Sequence, residues 1–311
     1  MSTVAILLSD KRSGSTMLQT ELCKHPDIQH VASSPHTYSE THFWLMAAVL
    51  LGRPNHLFAG RKTYQGYGSR KDARALVERL IKENIPDFVT PKTDEDLVFE
   101  GWEALCKRFA QPVFFEKSPQ FLAHWAALDL LLEWISKTKR QVRIIGLVRN
   151  PMAVQYSARN LFGTDPEHRQ FAWLHAYKNL LSFEAVVPNE LYMRVKYEDV
   201  ASNPEHFFDE VQRFLGVESN LSVGSGVHTS SFEKWRDDQS FRPSLDEAVI
   251  RMAGHYGYAS GDFEFSQSAT AKTSPTEAKQ SAPQLWVARQ RYRVLRPAIM
   301  RVRSLLRKNV G

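Results

Sequence analysis

Residues Ile6 to Leu18 combine two cations with a run of small hydroxyl-bearing residues in an order suited to holding an anion. The apolar run Ile6-Leu7-Leu8 reads as a buried strand. It enters the turn Ser9-Asp10-Lys11-Arg12-Ser13-Gly14-Ser15-Thr16 and leaves through Met17, Leu18 and Leu22 as a helix that stops at His25-Pro26. A strand, a small-residue turn and a helix N-terminus converge backbone N–H groups on one point, where the helix dipole favours negative charge. The turn is not a nucleoside-triphosphate P-loop, which needs G-x-x-x-x-G-K-[ST]. Ser9 holds the first Gly position, Ser15 holds the Lys position, and the cation stands ahead of Gly14 as Arg12.

A second segment carries the same logic. Val142-Arg143-Ile144-Ile145-Gly146-Leu147-Val148 reads as a central parallel strand. Arg149 follows at its C-terminal end, Pro151 suits the first turn of a helix, and Ser157 lies two turns in. Both segments sit where ligands bind in open α/β sheets, outside the carboxyl ends of the strands. Alone, Arg149 would read as a strand cap and Ser157 as a solvated helix residue.

Together these residues resemble the sulfotransferases that use 3′-phosphoadenosine 5′-phosphosulfate (PAPS). Arg12-Ser13-Gly14-Ser15-Thr16 matches their first signature, a Lys or Arg before Ser-Gly-[Thr/Ser]-Thr at the end of the first strand. Arg149-Asn150-Pro151 with Ser157 matches their second, an Arg-[Asp/Asn]-Pro with a Ser eight residues after the Arg. The resemblance covers roughly residues 4 to 260. It implies a P-loop-NTPase-like α/β fold, with Arg12 to Thr16 on the 5′-phosphosulfate and Arg149 and Ser157 on the 3′-phosphate.

Sulfuryl transfer to a hydroxyl needs a base for the proton and cations for the leaving phosphate. Glu40-Thr41-His42-Phe43 resembles the Glu-x-His-Phe element of sulfotransferases acting on glycans such as heparan sulfate. The tyrosyl-protein sulfotransferases also place a base Glu before a Thr in this region. Glu40 is therefore the expected base and His42 the reserve. On a helix, two residues apart, they would not share a face, so only one would meet the acceptor. A carboxylate stabilising a helix N-terminus is the competing reading of Glu40. Phe115-Glu116-Lys117-Ser118-Pro119 resembles the glycan-type Glu-Lys-[Ser/Thr]-Pro, which implies that Lys117 joins Arg12 at the transferring group; otherwise Lys117 is a solvated turn residue. Lys196-Tyr197-Glu198-Asp199-Val200 also recurs in these families, and its acids read as turn and cap residues. Ser231-Phe232-Glu233-Lys234-Trp235-Arg236 falls where these enzymes close a loop over the nucleotide, which puts Lys234 or Arg236 on phosphate. The Gly-rich element of the steroid- and phenol-sulfating branch is absent from the chain.

Alternating strands and helices must position these groups. Strands are expected at 4–9, Val113–Glu116, 142–148 and Leu191–Lys196, and helices at 15–24, Ser118–Ser136, 151–160, 166–185 and from Asn203-Pro204 to Leu215-Gly216. This pattern implies a parallel sheet flanked by helices. A helical insert on the acceptor side, about 41–110, holds helices Thr41–Leu51, Asp72–Glu83 and Leu97–Ala110 and a Gly/Tyr/Arg-rich loop from Gly52 to Arg70. The sulfotransferase domain is expected over 1–262, a linker over 263–283 and a basic amphipathic helix over 284–311.

At 311 residues and 43% apolar content the chain can bury a full core. Its net charge of +6 belongs to the tail: from Leu285 onward there are seven Arg and one Lys with no acid, leaving 32 cations against 34 acids elsewhere. A nucleic-acid-binding body would carry its cations on the folded domain, so nucleic acid is not an expected partner. The tail stripe Tyr292, Leu295, Ile299, Val302, Leu306 suits either peripheral adsorption to an anionic membrane or packing on the domain or a second subunit. Cys23 and Cys106 fit a reducing compartment, no signal segment or membrane span is read, and a cytoplasmic location follows as the expectation. No Cys/His cluster has metal-ligand spacing, so no metal is expected. The favoured acceptor is a carbohydrate or another polar hydroxyl compound, with a peptide tyrosine or a specialised natural product as the alternatives. A kinase with a degenerate P-loop and a non-catalytic nucleotide-binding module are the alternative readings.

Overall fold

The computed structural model describes residues 2–53, 69–227 and 233–266. Most of the Gly52–Arg70 loop, the pair Ser231-Phe232, the linker from residue 267 and the basic segment 284–311 lie outside the described residues.

Five parallel strands form one sheet in the order β2-β3-β1-β4-β5. They are β1 (Thr3–Ser9), β2 (Ile28–Gln29), β3 (Val113–Lys117), β4 (Gln141–Val148) and β5 (Tyr192–Lys196). The helices are α1 (Ser15–Leu22), α2 (Phe43–Leu50), α3 (Arg70–Asn84), α4 (Asp94–Phe109), α5 (Trp125–Lys137), α6 (Pro151–Phe162), α7 (Pro166–Glu184), α8 (Tyr197–Ser202), α9 (Pro204–Leu215), α10 (Lys234–Asp237) and α11 (Glu247–His255). The expected α/β class with a parallel sheet flanked by helices is thus the observed one.

The described residues divide into two units. One comprises 2–149 and 174–227 and holds the whole sheet; the other comprises 150–173 and 233–266.

In the first unit β1 lies between β3 and β4, and every residue of it is buried. A strand covered on both faces needs the near-continuous apolar run seen from Val4 to Leu8. All eight residues of α2 are buried as well. Its Trp44 meets Trp102 of α4 at 5.1 Å and Trp134 of α5 at 6.1 Å, and Trp102 lies 5.7 Å from Phe114 of β3. The insert helices are therefore bolted to the sheet by aromatic packing. α3 and α4 are capped by Ser69 and Thr93, whose hydroxyls accept from the N–H groups of Asp72 and Asp96. These caps start the helices two or three residues earlier than apolar periodicity alone places them.

In the second unit α6 opens on Asn150, whose side chain accepts from Met152 N–H, and closes on left-handed Gly163. Its Met152 and Ala153 share a core with Trp235 and Phe241, and Phe263 and Phe265 pack against it. Those two phenylalanines fall in the stretch that composition assigns to a linker; their aromatic area gives them a reason to fold.

β2, α8, α10 and α11 are absent from the sequence reading, and Glu198 and Asp199 lie in the first turn of α8 rather than in a turn or cap. Two expected helices start later than expected. The helix expected over Ser118–Ser136 is a 3₁₀ turn, Pro119–Ala123, followed by α5, because His124 is extended at φ −139° and ψ 99°. The helix expected from Thr41 begins only at Phe43, because His42 is left-handed at φ 52°. Replacing Trp102 by Ala removes the ring at the centre of the aromatic cluster, and should lower stability by about 3–5 kcal/mol. A shift of the urea midpoint with unchanged slope is the expected result.

Candidate functional site

The sheet topology fixes where the site forms. The chain leaves β1 toward β2 and β3 on one side, and leaves β4 toward β5 on the other. That reversal opens a crevice at the carboxyl ends of β1 and β4. The turn Asp10–Gly14 follows β1, Arg149 follows β4, and Lys117 ends β3 on the other flank of β1. Three adjacent strand ends thus supply three of the expected groups.

The turn is held open by backbone geometry and by two tyrosines. Asp10 accepts from Lys11 N–H through its carboxylate at 2.7 Å and from Ser13 N–H through its carbonyl at 3.3 Å. Arg12 is left-handed at φ 72°, and Gly14 caps α1 at φ 95° without a side-chain capping bond. A Cβ on Gly14 would lie 2.3 Å from the Tyr197 ring, so only glycine fits. Arg149 donates to the Arg12 carbonyl at 3.0 Å, and its guanidinium sits 4.2 Å from the centroid of the same Tyr197 ring. Tyr177 donates its hydroxyl hydrogen to Leu147 O at 3.1 Å, so in its 2.9 Å bond to Ser13 Oγ the serine is the donor. The buried Ser13 hydroxyl thereby ties the turn to the end of β4. Ser15 is buried and Thr16 half-buried at the start of α1.

Lys117 is completely buried, which a solvated turn lysine would not be. Its Nζ donates to Glu40 Oε1 at 3.0 Å, and reaches Thr16 Oγ1 and the Tyr38 carbonyl at 3.4 Å each. The other Glu40 oxygen, Oε2, lies 2.9 Å from His42 Nε2. Sequence spacing on a helix kept Glu40 and His42 apart. The left-handed backbone at His42 folds its ring back onto the carboxylate, so the pair meets after all. His36 stacks on His42 with ring centroids 3.9 Å apart.

Charge and burial compete at these groups. Burial pushes the Glu40 carboxyl up, but the His42 hydrogen bond and the Lys117 charge outweigh it and hold it below the ordinary carboxylate range. Burial pulls His42 down despite Glu40, so its ring is neutral and donates from Nε2. Burial, then His42, takes His36 to about 3. Glu116, beside Lys117, is pushed up to about 7 by burial, against the hydrogen bonds from Ser118 and Thr41.

The remaining expected residues lie in the second unit. Ser157 is half-buried on α6 and Lys234 is exposed at the start of α10. Arg236 holds chain: its guanidinium donates to the carbonyls of Gly261, Asp262 and Glu264 and pairs with Glu233 at 3.1 Å. Sequence reasoning missed Tyr177, Tyr197 and Glu116. Two of them stood inside quoted motifs, where Lys117 and the acids beside Tyr197 drew the chemistry; nothing in the sequence signals Tyr177. Among the described residues no group of His, Cys, Asp or Glu could hold a metal ion, and no helix is long and apolar enough to cross a membrane.

Comparison with known families matches residues 6–220 to the model of the sulfotransferase family. The chain belongs to the sulfotransferase family. The match takes in the anion turn, Glu40, Lys117, Arg149 and Ser157, and stops short of Lys234 and Arg236. Its fold is similar to two solved sulfotransferase domains. One is from the Synechococcus PCC 7002 olefin synthase, with a TM-score of 0.59 and 21% identity over 83% of this chain and 95% of that one. The other is from the curacin biosynthetic pathway, with a TM-score of 0.56 and 18% identity over 83% of this chain and 99% of that one. No curated protein matches the sequence.

A raised carboxyl makes a pH test of this sulfotransferase. Glu116 binds its proton more tightly folded, at about 7, than unfolded, at the ordinary carboxyl value of 4.5. Its burial therefore costs stability increasingly as pH rises from 4.5 through 7. The difference in melting temperature, Glu116→Gln minus wild type, should grow from pH 5 to pH 8; a flat difference would refute the raised carboxyl.

Proposed function

We propose that the protein transfers a sulfuryl group from PAPS to a hydroxyl of a carbohydrate or another polar natural product. The observation that carries this reading is the line Glu40–Lys117–Thr16, which joins a carboxylate base to the anion turn through one buried cation.

The residues present fit the donor. Gly14 holds the left-handed backbone that opens α1, the first turn of α1 has no side-chain cap, and Arg149 presents a fixed cation beside it. The first-turn N–H groups with Arg12, Ser15 and Thr16 are assigned to the 5′-phosphosulfate. Arg149 and Ser157 are assigned to the 3′-phosphate on their spacing in the sequence. When bound, the donor supplies an activated sulfuryl group on a phosphate leaving group.

Glu40 takes the proton of the acceptor hydroxyl as that oxygen attacks sulfur and the sulfur–phosphate oxygen bond breaks. Its pairing with Lys117 keeps the carboxylate ionised, and hence able to accept. A phosphate drawing on the Lys117 charge weakens that pairing and makes Glu40 more basic. His42 donates to the second carboxylate oxygen and orients it. Lys117 and Arg12 balance the charge that develops on the departing phosphate, and one such preorganised cation contributes about 3 kcal/mol to the barrier. Preference for a sugar acceptor rests on the glycan-type Glu40-Thr41-His42-Phe43 and Glu116-Lys117-Ser118-Pro119.

Calorimetric titration with 3′-phosphoadenosine 5′-phosphate, ATP and AMP tests the donor. Micromolar binding of the bisphosphate alone, lost in Arg149→Ala, is expected; equal or tighter binding of ATP would overturn the reading in favour of a kinase. A screen of hydroxyl-bearing sugars with ³⁵S-labelled PAPS then supplies an acceptor. With it, Glu40→Gln should lower kcat by about 10²–10⁴-fold while leaving bisphosphate affinity unchanged.

A further inference from the structure

The turn that brings Glu40 and His42 together is held by a carboxylate that touches neither. Left-handed backbone at a non-glycine residue is strained, so the His42 conformation needs a compensating set of bonds. The His42 side chain, turned to Glu40, makes no capping bond to α2. Its N–H donates instead to Ser118 Oγ at 3.0 Å, and the next N–H, on Phe43, donates to Thr41 Oγ1 at 3.1 Å. Each hydroxyl then passes its hydrogen to one atom: Thr41 Oγ1 donates to Glu116 Oε1 at 2.8 Å and Ser118 Oγ donates to the same oxygen at 2.5 Å. Thr41 and Ser118 are completely buried and Glu116 is 1% exposed, so water cannot substitute for any link.

Resting on the assignment of Glu40 as base, we propose that Glu116 is a positioning residue, which fixes the Glu40–His42 pair through the Thr41 and Ser118 hydroxyls. Glu116 lies one residue before Lys117, the last residue of β3, so a single strand end acts on Glu40 in two ways. Lys117 reaches it directly, and Glu116 sets the backbone that carries it. A single acceptor oxygen receives both hydroxyls, and an amide oxygen can do the same. Glu116→Gln should therefore keep the turn, whereas Glu116→Ala and the double variant Thr41→Val/Ser118→Ala should release it.

The test follows the His42 ring by ¹⁵N NMR in the free protein, bisphosphate affinity by calorimetry, and turnover with the acceptor from the sugar screen. Expected in Glu116→Ala and in Thr41→Val/Ser118→Ala are displaced His42 ring resonances, bisphosphate affinity within about twofold, and kcat lower by about tenfold or more with the donor KM unchanged. Glu116→Gln should restore both the resonances and kcat. Unmoved His42 resonances in the double variant would overturn the proposal, and so would a kcat loss that Glu116→Gln fails to restore. If Glu116→Ala does not fold, the double variant decides. Full turnover in Glu40→Gln would remove Glu40 as the base while leaving the His42 displacement to stand as evidence for the Glu116 role. An inactive Glu40→Gln with an unmoved His42 in the double variant would do the reverse.

Discussion

A lysine ammonium with no exposure to water has to be matched inside the protein or not exist as a charge at all. Lys117 is such a group, and much of the architecture around it reads as its coordination. Glu40 supplies the opposite charge, Thr16 and the Tyr38 carbonyl supply oxygen, and the Tyr38 ring centroid lies 5.7 Å from the nitrogen. To reach Lys117, Glu40 must sit ahead of α2 and off the helical path. That requirement is met by the left-handed turn at His42, and the turn in turn leans on Glu116. Removing any one of these groups strands another in a medium that does not solvate it.

The same logic explains why the insert helices matter to the chemistry. α2 follows the Glu40–His42 turn directly, and its eight residues are all buried. Its position is set by Trp44 against Trp102 and Trp134. The aromatic cluster therefore sets the distance between the base and the end of β3, and the parallel register of β3 on β1, with Lys117 opposite Leu7, sets the distance from there to the anion turn.

How much of this could be read in the chain depends on whether a feature is local. The buried strands β1 and β4, the Ser/Gly turn and Arg149 at a strand end all carry short-range signals, and they stand where the sequence places them. Thr41 to Phe43 looked helical because the apolar run from Phe43 to Leu50 extends a helix by propensity, while the bonds that break the pattern come from residues 75 and 76 positions away. The break at His124 was hidden in the same way, inside one amphipathic stretch. β2 has two residues, too few for any period. Tyr177 and Tyr197 are invisible for the opposite reason: a tyrosine hydroxyl or ring that braces a loop leaves no pattern in its own neighbourhood.

Tyr197 braces residues that follow two other strands. One ring fills the space above Gly14 and carries the Arg149 guanidinium on its face, so three residues that follow β1, β4 and β5 share a single packing solution. A smaller ring would open a void at the turn and unseat the arginine together; a side chain at position 14 would push the ring and move the cation. Such positions are strongly epistatic. A lineage drifting away from this arrangement has to change all three within a short interval or none, and the trio should therefore travel through descent as one character rather than as separate sites.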